Sequence, residues 1–194
     1  MKRTFSRRIF SPTLFFSDLR FLFGHMLEIQ AAMRNTQIDV KFREKIMMIV
    51  TAVNGCTYCT WFHAKVAVSS GMNSEEIKNM LDLQFRTDAS DFELQGLLYA
   101  QHYAETNRHP EKEMTDRLYA YYGETTASHI RLIIRMIFFG NLYGNTFDAF
   151  LSRFQGKKPG KGNILFEIFF FLVNAPIFLP LRFHLEKNAN QKSS

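Results

Sequence analysis

Apolar residues recur at intervals of three and four along nearly the whole chain, the spacing that lines one face of a helix. No run shows the strict apolar/polar alternation between turn residues that marks a strand. The pattern predicts a first amphipathic helix over Ser17 to Asn35, with Leu19, Leu22, Phe23, Met26, Leu27 and Ile29 inward. A second runs from Asp39 to Val53, burying Val40, Phe42, Ile46, Met47, Ile49, Val50 and Val53. Asn54-Gly55 supplies left-handed residues that end a helix, and a third helix starts near Cys56 and stops at Ser69-Ser70-Gly71.

Asn73 or Ser74 caps a short fourth helix, with Glu75 and Glu76 at the positive end of its dipole. Asp88 or Ser90 opens a fifth that ends before His109-Pro110, and a sixth covers Glu111 to Tyr122 and stops at Gly123. Thr125 to Phe154 forms a long helix, and Gln155 to Asn163, rich in Gly, Lys and Pro, is the clearest linker. The expected architecture is an all-α single domain over residues 20–155. It is flanked by a basic, phenylalanine-rich N-terminal extension over 1–19 and by a linker and apolar tail over 156–194.

Composition narrows the class. The 194 residues are 46% hydrophobic and 22% charged, enough for a real core. The formal charge of +6 is spread along the chain rather than gathered in one run, which argues against a nucleic-acid partner. Phenylalanine is abundant: of 21, six fall between Phe5 and Phe23 and six between Phe166 and Phe183. Lys2, Arg3, Arg7 and Arg8 precede the first acid, Asp18, but no uninterrupted apolar segment with a small-residue cleavage site follows, so a secretory signal is not expected.

The stretch from Ile164 to Leu181 is almost wholly apolar, yet Glu167 and Asn174 interrupt it and Pro176 and Pro180 break its helical ladder. A clean span needs roughly 20 apolar residues. The tail is therefore read first as a segment buried against the other arm or a neighbouring subunit. A membrane-surface element, as basic amphipathic helices form, comes second, and a true span a distant third.

Both cysteines of the chain fall at Cys56 and Cys59, with His63 four residues further on and Glu44 twelve before the first. Helical spacing of three and four puts thiol, thiol and imidazole on one stripe, with Cβ atoms about 5–6 Å apart. A disulfide across two intervening residues closes too small a loop to staple a fold, so the pair reads as redox or metal chemistry in a reducing, cytoplasmic compartment. Orphan N–H groups at the start of the third helix would stabilise a thiolate, and Glu44, returned by an antiparallel turn, would orient the imidazole. Two other readings stand beside this one: a zinc shell of two thiolates, imidazole and carboxylate, and an inert, packed pair. His25, His102, His109, His129 and His184 have no partner at ligand spacing and read as surface or hydrogen-bonded histidines.

Glu44 followed by Val50-Thr51-Ala52-Val53-Asn54-Gly55-Cys56-Thr57-Tyr58-Cys59-Thr60-Trp61-Phe62-His63 resembles the signature of the carboxymuconolactone decarboxylase/alkylhydroperoxidase D (AhpD-like) family. Asn141 and Asn145 also resemble asparagines common after that family's active-site region. The resemblance implies an all-α, homo-oligomeric fold and a thiol peroxidase that needs no cofactor or metal. Cys59 would attack a hydroperoxide and become a sulfenic acid, Cys56 would resolve it as a disulfide, and Glu44 and His63 would relay protons. A dithiol reductant, a thioredoxin-like or lipoyl protein, would restore the thiols. Better-studied peroxidases of the family carry a second histidine where Tyr58 stands here, and the lactone-decarboxylating branch generally lacks the cysteine pair.

Overall fold

The computed structural model describes residues 4–160 and 162–192, so Lys2 and Arg3 of the basic N-terminal run lie outside the described residues. The chain is all-α. Its helices are α1 (Pro12–Gly24), α2 (Met26–Met33), α3 (Val40–Asn54), α4 (Thr57–Ser69), α5 (Ser74–Leu81), α6 (Asp91–Glu105), α7 (Lys112–Phe154) and α8 (Ile164–Lys192). A two-residue parallel pair, β1 (Thr4–Phe5) with β2 (Lys158–Pro159), ties the N-terminal segment to the segment after α7. A pair that short carries no alternation, which is why the pattern of the chain did not announce it.

Helix α3 is the centre of the bundle, packed against α4, α5, α6 and α7. From Glu44 to Thr51 every residue is buried, polar ones included. Asp39 caps it by accepting from the Phe42 N–H at 2.8 Å, and Gly55 ends it in the left-handed region (φ 69°), donating its N–H to the Thr51 carbonyl at 2.8 Å. Lys45 is buried too, and its ammonium is satisfied by Glu93 and the Asp88 carbonyl, both at 2.9 Å, which anchors α3 to the start of α6. Asn73 with Glu76 and Ser90 with Glu93 form reciprocal capping boxes that start α5 and α6 where the sequence placed their caps.

The first helix departs from expectation. The stretch Ser17 to Asn35 divides at His25 into α1 and α2, and its apolar positions do not all face inward. Phe23 is 67% and Leu27 80% exposed, while Asp18 is buried, paired with Arg108 at 2.7 Å. Val40, expected inside, is also exposed at the start of α3. Gly123 separates two helical runs, as expected: it is non-helical at φ 74° and ψ 170°, a kink between the two parts of α7.

The tail forms one helix. Pro176 and Pro180 lie inside α8 without ending it, because α7 supplies the support that an isolated ladder would lack. Phe147 of α7 stacks on Phe171 and Phe178 at centroid distances of 5.0 and 4.9 Å, and Tyr143 meets Phe170 at 4.5 Å. Phe15 of α1 packs on Phe166 and Phe170 from the other side. The two aromatic-rich ends therefore bury against each other in part, and α8 leaves its opposite face uncovered.

Candidate active site

Cys56 does not belong to the first turn of α4, as expected, but stands just before it as the N-cap. Its sulfur accepts the backbone N–H of Cys59 at 3.3 Å. The Cys-x-x-Cys spacing is thus the spacing from N-cap to N3, with sulfur in the role that Ser or Asp usually fills. Gly55 delivers the chain to this point, and Gly144 of α7 lets the sulfur pack. A Cβ at Gly144 would lie 2.8 Å from Cys56 Sγ and 3.1 Å from the Tyr58 ring.

The environments of the two thiols differ. Cys56 is fully buried, whereas Cys59 is half-buried. Both are free thiols that lie side by side. The hydrogen bond from the Cys56 thiol is the main influence that lowers the pKa of Cys59, with Asn141 adding to it against the opposing effect of burial. That same bond, together with burial, pushes the Cys56 thiol up. Of the orphan N–H groups expected to favour a thiolate, that of Cys59 donates to the Cys56 sulfur and also helps to lower the pKa of Cys59.

His63 lies one turn beyond Cys59 on α4, and Glu44 reaches it from α3. Glu44 Oε2 is 2.7 Å from His63 Nδ1, and both side chains are buried. The carboxylate fixes the ring and takes up Nδ1, leaving Nε2 as the nitrogen that can exchange a proton elsewhere. The turn between α3 and α4 therefore leaves two pairs, Glu44 with His63 between the helices and Cys56 with Cys59 at the start of α4. Among the described residues no group of three or more His, Cys, Asp or Glu side chains could hold a metal ion. Three of the other histidines have the ordinary polar contacts expected of them: His25 lies 3.8 Å from Glu28, His102 pairs with Glu111, and Asn35 is 2.9 Å from His129.

Tyr58, between the two cysteines, is tied to a carboxylate rather than to either thiol. Its hydroxyl donates to Asp148 at 2.6 Å, and burial, reinforced by the Asp148 charge, raises its pKa. Asp148 also accepts from Arg7 at 2.8 Å and Arg182 at 3.1 Å. A polar stripe on α7 continues this network beneath the thiols. Asn145 donates to the Asn54 carbonyl at 2.9 Å, and Asn141 donates to Thr51 at 2.9 Å and accepts from Asn54 at 3.2 Å. Asn141 and Asn145 were visible in the sequence. Asp148 falls on the same stripe, seven positions after Asn141, a helical-face signal that could have found it. Arg7 and Arg182 carried no such signal, because they arrive from opposite ends of the chain.

A cavity of about 280 Å³ opens beside this network, lined by Arg7, Thr57, Tyr58, Asp148, Lys157 and Arg182 among others. A shallower one of about 500 Å³ flanks the outer side of α4 at Thr57, Thr60, Trp61 and Leu185.

No curated protein and no solved structure matches the chain. A family model does match it over residues 22–102, from within α1 to within α6. Glu44, Cys56, Cys59 and His63 all lie inside the matched stretch, and the asparagines and Asp148 of α7 lie beyond it. The model that residues 22–102 match is that of the carboxymuconolactone decarboxylase family.

Proposed function

We propose that the protein is a thiol-dependent peroxidase of the alkylhydroperoxidase type, which reduces hydroperoxides through the Cys56–Cys59 dithiol. One observation carries this reading. The more accessible thiol, Cys59, is also the one held below its ordinary pKa, and its neighbour Cys56 is a protonated donor packed against it.

In the proposed cycle the Cys59 thiolate attacks the distal oxygen of R–O–O–H, and the O–O bond breaks. Sulfur is oxidised to Cys59–S–OH and the alkoxide leaves, taking a proton to become an alcohol. His63, poised by Glu44, supplies that proton. The Cys56 sulfur then attacks Cys59, forming the disulfide and releasing water, with its own proton passing to the departing hydroxide. A dithiol donor, thioredoxin-like or lipoyl-bearing, returns two electrons and two protons by thiol–disulfide exchange. This chemistry suits a reducing, cytoplasmic compartment and a homo-oligomer of the kind the family forms.

A second reading is dithiol–disulfide exchange without peroxide. What favours it is Tyr58, locked to Asp148 where a proton-shuttling histidine would stand. Peroxide consumption driven by a small dithiol separates the two. Wild type should turn over, Cys59→Ser should be inactive, and Cys56→Ser should form no internal disulfide after one equivalent of peroxide. Equal rates in all three remove the peroxidase assignment. Reduction of a disulfide substrate with no peroxide turnover selects the second reading.

A further inference from the structure

Helix α8 carries an uncovered face whose composition is uniform. From Ile164 to Phe183 every exposed residue is apolar, including Leu165, Phe169, Leu172, Val173 and Ile177. The polar residues of that stretch have all turned inward. Glu167 is fully buried against Arg153, Asn174 accepts from Tyr143 and donates to the Phe170 carbonyl, and Arg182 reaches Asp148. The charge and amide that interrupt the apolar run in the sequence therefore do not interrupt it on the surface.

The stripe is about 30 Å long at the helical rise. By length and composition, Ile164–Lys187 could also cross a membrane. The structure argues for a different placement. Aromatic contacts with Tyr143 and Phe147 and the buried Glu167–Arg153 pair hold α8 along α7, so crossing would tear out a salt bridge and an amide network. Pro176 and Pro180 also have no N–H for the carbonyls of Leu172 and Pro176, which are better placed at a wet boundary than in hydrocarbon.

We propose that α8 lies flat on an anionic lipid surface with its outer face sunk at the boundary between headgroups and acyl chains, the depth typical of interfacial helices. Charge complementarity names the occupant. The chain carries a net +6, exposed Arg20 stands between exposed Phe16 and Phe23 on α1, the helix packed against the start of α8, and the exposed residues after the stripe, Glu186 and Lys187, offset each other. A second copy of the chain fits less well. Protein interfaces carry about one hydrogen bond per 100–200 Å², and this face offers no polar side chain to make one, whereas a lipid surface asks for none. The docking does not depend on the thiol chemistry.

Flotation of the full chain with phosphatidylcholine vesicles, with and without phosphatidylglycerol, tests the assignment. Wild type should rise with the anionic vesicles, less with the neutral ones, and less again at high salt. Leu172→Glu combined with Ile177→Glu, both on the surface, should lower the partition coefficient by about a hundredfold, each lost side chain contributing roughly tenfold. Phe169→Glu alone should give a smaller loss in the same direction. Wild type that stays down with anionic vesicles overturns the proposal, as does flotation unchanged by any of these substitutions. If the glutamates dissociate an oligomer and wild type does not float, the face belongs to a second copy and the lipid assignment fails.

Discussion

The carboxylate of Glu44 and the imidazole of His63 meet at 2.7 Å between two consecutive helices, both out of solvent. Removing either partner leaves a buried polar group unanswered. Glu44→Ala should lower the unfolding free energy by about 3–5 kcal/mol, read by urea denaturation. Glu44→Gln keeps an acceptor for Nδ1 and should cost much less. It should still slow thiol turnover by about 10²–10⁴-fold, because the charge that supports the imidazolium is gone. A glutamine variant as active as wild type would show that the pair only braces the fold.

The asymmetry of the thiols has a pH signature. An acid whose pKa is lowered keeps its ionised form to lower pH. Alkylation of Cys59 by iodoacetamide should therefore rise through a midpoint below the ordinary thiol value of about 8.5. The largest influence on that shift is the Cys56 hydrogen bond, so Cys56→Ala should move the midpoint upward. Peptide mapping after brief labelling of wild type should find Cys59 modified first. A midpoint that stays put in Cys56→Ala would assign the shift to Asn141 and the helix instead.

Gly144→Ala tests how tightly α7 presses on the N-cap. The added methyl would come within 2.8 Å of Cys56 Sγ, and relief requires moving the sulfur or the Tyr58 ring. Overpacking of this kind costs about 1–3 kcal/mol, visible as a lower Tm. Labelling of Cys59 should change in the same variant, since its donor has shifted. Gly140→Ala, whose nearest neighbour is 4.0 Å away, is the matched control and should leave both readouts alone.

Arg153 and Glu167 fasten the start of α8 to the end of α7 through two bonds of 2.6 and 2.8 Å. The carboxylate has no solvent contact. Arg153→Met should destabilise by about 3 kcal/mol and speed hydrogen exchange in α8. Adding Glu167→Leu should recover much of that loss, because the stranded charge is then removed.

Much of this was legible in the sequence, where the rules are local. The caps at Asp39, Asn73 and Ser90, the corner at Asn54-Gly55 and the spacing of the four site residues are statements about neighbours within one or two turns, and periodicity reads those well. Burial of α1 and α2 was read wrongly at Phe23 and Leu27, since an amphipathic pattern says that one face differs from the other and not that a partner covers it. Persistence of α8 through Pro176 and Pro180 depends on rings of α7 some thirty residues away. Arg7 and Arg182 reach Asp148 across 141 and 34 positions, and no window of the chain contains such a meeting.

Asp148 gathers arginines from near both termini beside the tyrosine that separates the two cysteines. Deletions that remove Arg7 or Arg182 would each loosen the same knot, so cuts made far apart in the sequence should disturb the thiols alike.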